Sequence, residues 1–512
     1  MKHLFIHITY RVAVVLLLLP LHANSRQKEY PVTSFGAKGD GISLNTSAIQ
    51  KAIDAASAAG GGTVVIPEGR FLSGCISLKS GVTLKLDFHA VLLGSTSPFD
   101  YLSNGKSFHF INAENTSDIA ITGEGTIDGQ GRKLALNIDS LFFAGKWEEP
   151  NYNYRRHRPE RRPKLLDFSQ CKNITIQGIT AKNSTSWVLN FDRCSDLTID
   201  QVTVESDDYW NNDGMDIGDC RNVKITNCYV NSSDDGICLK SHHKGSLNDS
   251  IYIANCTVRS SASAIKFGTA SHGGFKNVKI ENIYIFDTFR SAIALESVDG
   301  GILENIEISD ITANNTGNAI FIKLGHRNTD GPVGTLKNIK ISNVVVQVPY
   351  NNPDLNYEIR GPERTFFHNV FPASITGLPG HLVENVSLEN IRIIYPGRAN
   401  NGYAHLPLHR LKDVPESESE YPEFSMFGEL PSWGFYVRHV KGLTMKGIDL
   451  KVLEEDFRPA LVFDDVSDLK LQKVKIDPTN PTNQIILRQV VNKSFDKIQI
   501  EGVSGNGVQT VE

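Results

Sequence analysis

Three aspartates are the residues of this sequence whose spacing suggests chemistry. Asp213 stands 22 residues before Asp235, which directly follows Asp234. Carboxylates that lie together raise one another's proton affinity, so one can keep a proton while its neighbours stay ionised. Glycoside hydrolysis uses that combination, an acid for the leaving oxygen and a base for water. A calcium site or a solvated acidic bend is the alternative for the same residues.

The chain around these aspartates is a repeat. Similar segments begin at Cys171, Cys194 and Cys220 and continue at comparable spacing. Each unit holds short β-rich runs separated by Asn, Gly, Asp or Ser, without the apolar period of a helix. Units this small bury a core only by stacking, which predicts a parallel β-solenoid. One phase of the repeat carries asparagines that we expect to ladder along the axis: Asn173, Asn222, Asn277, Asn305, Asn338 and Asn385.

Aligning the coils on their apolar residues predicts where the other side chains point. The two apolar columns begin at Met215 and Ile217 and should face the core. Because side chains alternate along a strand, two further columns should face outward. The first outward column holds Asp216, Cys238, Lys266, Ala294 and Phe321, and the second holds Gly218, Lys240, Gly268, Glu296 and Lys323.

The same alignment places Asp213 and Asp235 one coil apart, side by side. Strict alternation would point both carboxylates inward, where unpaired charge is costly. We therefore expect them in the bend before the strand, where Gly214 and Gly236 free the backbone. In such a bend, Asp234 and Asp235 can both face outward.

The ends of the solenoid have their own features. TSAIQKAIDAASAAGGG predicts one short helix, capped by Asn45 or Thr46, that plugs the open N-terminal end. Between 396 and 433 the repeat lapses into a Pro-rich, partly acidic segment, which we interpret as a long loop over a continuous coil. We expect an N-terminal module with the capping helix over 26–110 and the β-helix over 111–512.

Residues 1–25 have the pattern of a signal peptide. Lys2 and Arg11 supply a basic start, and the apolar run that follows is too short to span a bilayer. Their removal changes the formal net charge from −5 to −7, a mild acidity that argues against nucleic-acid or membrane-surface binding. We expect a secreted or periplasmic protein without a membrane span. Of the seven cysteines, most recur with the repeat, so we expect packing residues, with one or two disulfides as the alternative.

At these residues the chain resembles glycoside hydrolase family 28, which contains polygalacturonases and rhamnogalacturonases. The resemblance runs from about residue 30 to at least 345 and implies an all-β fold, a right-handed parallel β-helix with a short N-terminal capping helix. It implies a pectic polysaccharide substrate, an inverting displacement and no metal or cofactor. The segments that carry it occur in the family's order: YPVTSFGAKGDG, GEGTIDGQG, RRPKLLDFSQCKNITIQGITAKNSTSWVLN, NNDGMDI and DDGICLKS.

The resemblance also implies roles for individual residues. Asp213 matches the aspartate of the family's Asn-Thr-Asp motif, and Asp234 and Asp235 match its Asp-Asp pair. The implied general acid is Asp234, with Asp213 and Asp235 holding the attacking water roughly 6.5–9.5 Å from the acid. Asn211 and Asp216 match the ends of the first motif and are predicted to support the site.

The chain departs from the family pattern on the substrate-binding side. The family's histidine is replaced near Ser263, and Ala294 and Glu296 take the positions of an Arg-Ile-Lys pair of cations. Losing those cations argues against ordinary endo-polygalacturonase action and favours a rhamnogalacturonan-like substrate or exo action. We hypothesise that Lys266 and Lys323, in the same outward columns, supply the charge that faces the substrate.

Two other functions stay open at this level. A polysaccharide lyase on the same scaffold needs a base, which Lys240 or Lys266 near the aspartates could supply. A non-catalytic glycan-binding solenoid is the third reading. The sequence does not predict the oligomeric state.

Three further groups have both a substrate-binding and an ordinary structural interpretation. The basic run RRHRPERRPK can attract an acidic glycan or lie solvated. His242 and His243 can replace the missing histidine or lie exposed in a loop. Aromatic residues of the long loop can stack on sugars or pack the loop down: Tyr421, Phe424, Phe427 and Trp433.

Overall fold

The protein is a parallel β-helix in which each strand pairs with its counterparts in the preceding and following coils. We describe a computed structural model over residues 28–102, 108–328, 331–353, 368–403, 405–480, 482–503 and 507–512. Its strands form one continuous set of parallel pairings. The predicted all-β class, a right-handed parallel β-helix with a short N-terminal helix, is confirmed. The predicted signal peptide lies outside the described residues.

The described residues form two α-helices, α1 (Thr46–Ala58) and α2 (Gly131–Phe143). The strands before the aspartates are β1 (Glu29–Pro31), β2 (Asp40–Leu44), β3 (Gly62–Ile66), β4 (Gly69–Ser73), β5 (Ile76–Ser77), β6 (Val82–Leu86), β7 (Ala90–Gly94), β8 (His109–Glu114), β9 (Ser117–Gly123), β10 (Thr126–Asp128), β11 (Lys164–Ser169), β12 (Lys172–Gln177), β13 (Thr180–Lys182), β14 (Leu189–Asp192), β15 (Ser195–Asp200) and β16 (Thr203–Ser206).

The strands from the aspartates to the C-terminus are β17 (Met215–Gly218), β18 (Arg221–Thr226), β19 (Tyr229–Ser232), β20 (Ile237–Ser241), β21 (Asn248–Ser260), β22 (Ile265–Ser271), β23 (Gly274–Ser297), β24 (Ile302–Leu324), β25 (Thr335–Gln347), β26 (Ala373–Thr376), β27 (Val383–Tyr395), β28 (Phe435–Val452), β29 (Leu461–Asp477), β30 (Ile485–Ile500) and β31 (Val508–Val511).

The side-chain columns predicted from the repeat are confirmed by the strand register. Met215 pairs with Ile237, and the column continues through Ile265 and Ile293 to Ile320. These five side chains are at most 1% exposed and form part of one continuous apolar core. The first outward column follows the same register, whereas the second is interrupted at Gly268, because the pairing of β20 with β22 shifts between Leu239 and Ser241. The sheet that contains β17, β20 and β22 presents the candidate site.

Asparagine ladders join the coils at the turns. Asn305 adopts a left-handed backbone with φ of 57°, donates its amide to Asn277 at 3.1 Å and accepts from Asn338 at 3.2 Å. Asn385 extends the ladder by donating to Asn338 at 3.2 Å. Asparagine tolerates this backbone conformation better than other residues with a Cβ. The predicted asparagine ladder is confirmed from Asn277 to Asn385, whereas Asn173 and Asn222 donate to aspartates of the preceding coil.

Helix α1 covers the N-terminal end of the core as predicted. It begins at Thr46 after Asn45, and Ile49, Ala52 and Ile53 are fully buried. The sequence analysis missed α2. The sequence signal for α2 is a set of three apolar residues at helical spacing, Leu134, Ile138 and Leu141. The first two are fully buried.

The remaining predictions about organisation have mixed outcomes. The repeat lapses between Tyr395 and Phe435 as expected. The division at residue 110 stays a prediction, and strands on either side of it pair, for example β6 with β9. Six of the seven unpaired cysteines are buried, as expected of packing residues, and Cys75 is half-buried. Within the described residues no helix has the length and apolarity to cross a membrane.

We expect Asn305→Ala to lower the free energy of unfolding by about 2 kcal/mol, because it loses both ladder hydrogen bonds and strains the left-handed backbone. Asn305→Gly also removes the amide, but glycine adopts the left-handed backbone without strain, so we expect about half of that loss. Urea unfolding of the two variants beside the wild type measures the difference. Equal losses in both variants would contradict the backbone part of the argument.

Candidate active site

The three aspartates lie in two adjacent bends that lead into β17 and β20. Gly214 N donates to Asp235 O at 2.8 Å, so the two bends stack as part of the ladder. Gly214 and Gly236 were predicted to allow a backbone conformation that other residues avoid, but neither has a positive φ. The bends need glycine for another reason. A Cβ on Gly214 would lie 2.5 Å from Val230 Cγ1 and 2.6 Å from Gly236 O. Close packing between coils therefore excludes a side chain there.

The carboxylates converge as the repeat predicted. One oxygen each of Asp213, Asp234 and Asp235 lies within 4.8 Å of the others. The separation of roughly 6.5–9.5 Å expected between the acid and base groups stays a prediction, because the 4.8 Å joins single oxygens. A water molecule that makes hydrogen bonds of about 2.8 Å to two oxygens fits between oxygens separated by this distance.

Lys240 neutralises the first carboxylate and its neighbour. Its Nζ contacts Asp213 Oδ2 at 2.8 Å and also Asp216 Oδ1. Asp216 is 1% exposed and occupies the predicted outward column. The second carboxylate oxygen of Asp213, Oδ1, is buried and has no hydrogen-bond partner among the described residues. Such an oxygen is costly unless it receives a hydrogen bond from a ligand or water.

Lys266 and Ser263 hold the third carboxylate. Lys266 Nζ lies 3.1 Å from Asp235 Oδ2, and Ser263 N donates to Asp235 Oδ1 at 3.2 Å. Ser263, at the position of the family histidine, thus contributes its backbone amide here. Lys266 was predicted to face the substrate. Its side chain is instead 2% exposed and lies between Asp235 and the ring of Tyr421, so little of it is open to a substrate.

The electrostatics separate Asp213 from Asp235. Burial raises the pKa of Asp213 well above its usual value, and the negative charges of Asp216, Asp234 and Asp235 add to this, against the opposing effect of Lys240. Burial also disfavours ionisation of Asp235, but Lys266, Lys240 and Arg290 outweigh it and lower its pKa. Asp235 is therefore the buried carboxylate that the surrounding cations keep ionised.

Asp234 is the most open of the three and has a different environment. Its Oδ2 accepts from Asn211 Nδ2 at 3.2 Å, and its Oδ1 accepts from Asp235 N at 3.0 Å. Asn211 is held in turn by Arg162, which donates to Asn211 Oδ1 at 3.0 Å and to Trp210 O at 2.7 Å. Sequence reasoning predicted Asn211 but not Arg162, whose only signal was its place in the basic run.

The long loop covers the outward columns beyond the aspartates, which corrects two predictions. Glu296 is 2% exposed, and burial raises its pKa to about 8. Lys323 is 1% exposed, and its Nζ donates to Glu416 O of the loop at 2.8 Å. Both side chains leave the coil on the predicted face, but the packed loop separates them from solvent. Neither faces an open groove.

The loop aromatics mostly hold the loop down. Phe424, Phe427 and Trp433 are buried, the first two in a cluster with Phe321. Tyr421 is 51% exposed, and its hydroxyl accepts from Lys266 Nζ at 3.3 Å. The packing interpretation therefore describes three of the four aromatic residues, and Tyr421 lies at the edge of the candidate site.

A cavity of about 380 Å³ adjoins the aspartates on the side of the earlier coils. Trp187, which the sequence analysis did not single out, lies in its wall with Lys240 Nζ 4.6 Å from the ring centroid. His242 and His243 both line the cavity, and His243 Nε2 also lies 3.0 Å from Asp192 Oδ1. The neighbouring wall residues include Lys164, Asn190, Asp216 and Gly218.

Among the described residues, two groups of side chains have the composition of a metal site. They are the three aspartates and the set of Asp192, Asp219 and His243. In the second group, Asp219 already accepts from two backbone amides and from Ser241 Oγ. A divalent cation would have to displace lysines from the first group or these donors from the second.

Comparison with known proteins agrees with this geometry. The family model for glycosyl hydrolases family 28 matches residues 57–348. A probable polygalacturonase of Vitis vinifera is 28% identical over 57% of this chain and 56% of its own length. An exo-poly-α-D-galacturonosidase of Dickeya chrysanthemi is 25% identical over 70% of this chain and 71% of its own length.

A solved structure shares the fold. The exopolygalacturonase of Thermotoga maritima aligns with a TM-score of 0.62 and 20% identity, over 83% of this chain and 92% of the other. The chain spans little more than half the length of the grape relative. The matched residues 57–348 include all three aspartates, their lysines and the coils that bear them, and the chain belongs to glycosyl hydrolases family 28.

Proposed function

We propose that this protein is an exported glycoside hydrolase that cleaves pectin-type, galacturonic-acid-containing polysaccharide from a chain end. The observation that carries the proposal is the arrangement of the three carboxylates. Asp213 and Asp235 are buried beside lysines, and Asp234 is half-buried and the most exposed of the three. Export rests on the signal-like residues 1–25.

In the proposed reaction, Asp234 protonates the oxygen of the leaving sugar and Asp235 takes a proton from the attacking water. Lys266 stabilises Asp235 as the ionised base. The unpartnered Oδ1 of Asp213 accepts the other hydrogen of the water and orients it. Water attacks on the face opposite the leaving group, so the configuration at the anomeric carbon inverts.

Exo action is supported by the loop that covers the later coils. Arg290 binds Glu423 of the loop at 2.7 Å, and Phe424 and Phe427 pack over the outward columns. A polymer that lies along the sheet would meet this packed segment directly beyond the aspartates. The relatives from Dickeya chrysanthemi and Thermotoga maritima carry names that describe exo-acting galacturonan enzymes.

The positions of Ala294 and Glu296 do not discriminate between galacturonan and rhamnogalacturonan. Ala294 is buried in the apolar cluster of the loop and Glu296 is 2% exposed, so neither side chain is open to a sugar beyond the cleaved bond. The loss of two cations at these positions therefore does not favour one substrate over the other, and the products of digestion distinguish them.

The lysines are poorly suited to the alternative lyase reaction. Burial disfavours the charge of Lys240 and Lys266, but the adjacent carboxylates outweigh it and raise both pKa values well above the usual value. A lysine that stays protonated cannot abstract a proton. A purely glycan-binding role gives no reason for an orphaned Asp213 oxygen beside an ionised Asp235.

We expect digestion of galacturonan and rhamnogalacturonan, with and without EDTA, to release saturated mono- or disaccharides from one substrate. Early proton NMR should show the inverted anomer. Unsaturated products absorbing in the ultraviolet would support a lyase instead. Internal fragments of intermediate length in the early phase would contradict exo action, and no product from any pectic glycan would contradict the hydrolase proposal.

We expect Asp234→Asn to lower kcat on the natural glycan by about 10²–10⁴-fold, because general-acid assistance is lost. An aryl glycoside whose phenolate departs without protonation should retain most of the wild-type rate. Asp235→Asn, which removes the base, should lose activity on both substrates. Equal losses in Asp234→Asn on the two substrates would exclude Asp234 as the acid.

The two buried carboxylates should affect stability in opposite directions. Asp235 has a lowered pKa in the fold, so its charge stabilises the protein above its unfolded pKa, and this contribution is lost as pH falls through the folded value. Asp213 has a raised pKa, so its ionisation becomes destabilising as pH rises. At pH 7 we expect Asp235→Asn to cost about 3 kcal/mol by leaving Lys266 unpaired, and Asp213→Asn to raise the melting temperature.

Thermal unfolding at pH 7 and at pH 4 tests the two variants together. The difference between Asp235→Asn and the wild type should persist at pH 4, because the lowered pKa keeps Asp235 ionised there, whereas the gain from Asp213→Asn should shrink as Asp213 becomes protonated in the unfolded chain as well. A destabilisation by Asp213→Asn equal to that by Asp235→Asn would contradict this account of the charges.

A further inference from the structure

A basic segment forms a rigid hairpin next to the candidate site. Residues 144–164 contain seven Lys or Arg against three Glu, in a chain with formal net charge −5. Asn153 and Arg158 form an antiparallel bridge with N–O distances of 2.9 and 3.2 Å. We call residues 153–158 the arginine hairpin. Its tip consists of Tyr154, Arg155, Arg156 and His157.

The hairpin is held from its base by polar contacts. Asn153 Oδ1 accepts from the backbone amides of Arg155 and Arg156 at 3.2 and 3.1 Å. Asn153 Nδ2 donates to Glu160 at 3.0 Å, and Glu160 binds Arg158 at 3.1 Å. Arg158 is 6% exposed, so it acts as an anchor and leaves the tip arginines available.

An aromatic cluster supports the hairpin from α2. Phe142 stacks on Tyr152 with centroids 4.7 Å apart, and Tyr152 contacts Tyr154 edge-on at 4.9 Å. Tyr154 and Phe143 are each 66% exposed. Exposed aromatic rings beside arginines form a surface suited to sugar rings that carry a negative charge.

The hairpin connects to the proposed acid through three residues. The Arg156 guanidinium lies 5.1 Å from the ring centroid of Trp210. Trp210 O and the side chain of the next residue, Asn211, both accept from the buried Arg162, and Asn211 donates to Asp234. A path of contacts thus leads from the tip to Asp234.

The other cations near the aspartates are buried: Arg162 donates to an amide oxygen and to backbone carbonyls. Lys240 and Lys266 are buried in ion pairs with the catalytic aspartates. By contrast, no carboxylate of the described residues lies at ion-pair distance from Arg155 or Arg156. The planar guanidinium of an arginine can make a bidentate contact with a carboxylate.

We propose that the arginine hairpin is a carboxylate-binding subsite for a uronic acid unit of the substrate, with Arg156 and Trp210 as contact residues. The hairpin thereby supplies the substrate recognition that Lys323 and Glu296, beneath the loop, do not provide. This inference rests on the proposed pectic substrate and adds that a charged sugar is bound on the Asp234 side of the aspartates.

The test measures binding in the catalytically inactive Asp234→Asn background by calorimetry. The probes are tri-galacturonate and its methyl ester, which lacks the charges. We expect Arg156→Ala to weaken binding of tri-galacturonate roughly threefold to tenfold at low salt, and less at high salt, and to leave the ester unaffected. Arg156→Lys should keep the salt dependence but recover only part of the affinity, because lysine lacks the bidentate fork.

Arg392→Ala is the matched control, because Arg392 is an arginine with 54% side-chain exposure on β27. Melting temperatures confirm that all variants fold. The inference is overturned if Arg156→Ala binds tri-galacturonate as Arg392→Ala does, if it loses equal affinity for the ester, or if the parent binds neither probe. Digestion by the wild type tests the proposed function separately. If the hairpin binds tri-galacturonate but the protein cleaves no pectic glycan, only the proposed function is contradicted.

Discussion

The spacing between coils is the constraint on which the site depends. Parallel strands lie about 4.8 Å apart, so residues at one phase of successive coils are forced into contact whatever their charge. For apolar residues this makes a core. For Asp213 and Asp235 it makes an electrostatic conflict, and the structure resolves it with a lysine contributed by the next coil in each case. Lys240 binds Asp213 and Asp216 across one coil, and Lys266 binds Asp235 across the next.

This pairing distributes the charge unequally. Lys240 serves two carboxylates, whereas Lys266 serves the carboxylate of Asp235 and is joined there by the electrostatic effect of Arg290. Asp234 has an amide partner and an open side. The result is one ionised carboxylate, one whose ionisation is opposed, and one that faces the cleft. Acid and base chemistry at a single site requires such a separation.

The same fold uses its outward face in two ways. Before the aspartates the outward columns line a cavity, with Lys240 beneath the ring of Trp187. After them, the columns become the floor on which the long loop packs, and charged residues such as Lys323 are satisfied by loop backbone rather than by solvent. The outward face is therefore asymmetric, with a cavity on the side of the earlier coils and the packed loop over the later ones.

Much of the fold could be predicted from the sequence, because the coils of a repeat can be aligned by their spacing along the chain. The phase of Met215 and Ile237, the ladder at Asn305 and the meeting of Asp213 with Asp235 all follow from counting along the chain, since identical coils stack in register. The helix α2 was missed although its spacing was visible. Its short apolar stripe lies between repeats.

What only the tertiary structure decided involves residues far apart in the chain. The sequence placed Lys266, Glu296 and Lys323 on the outward face but could not show that the loop returns over them, as when Tyr421 meets Lys266 across 155 residues. Alternation along a strand fixes a side chain's direction. Whether that direction leads to water, to a substrate or to another segment depends on packing between distant parts of the chain. The same packing determines the charge state of each group.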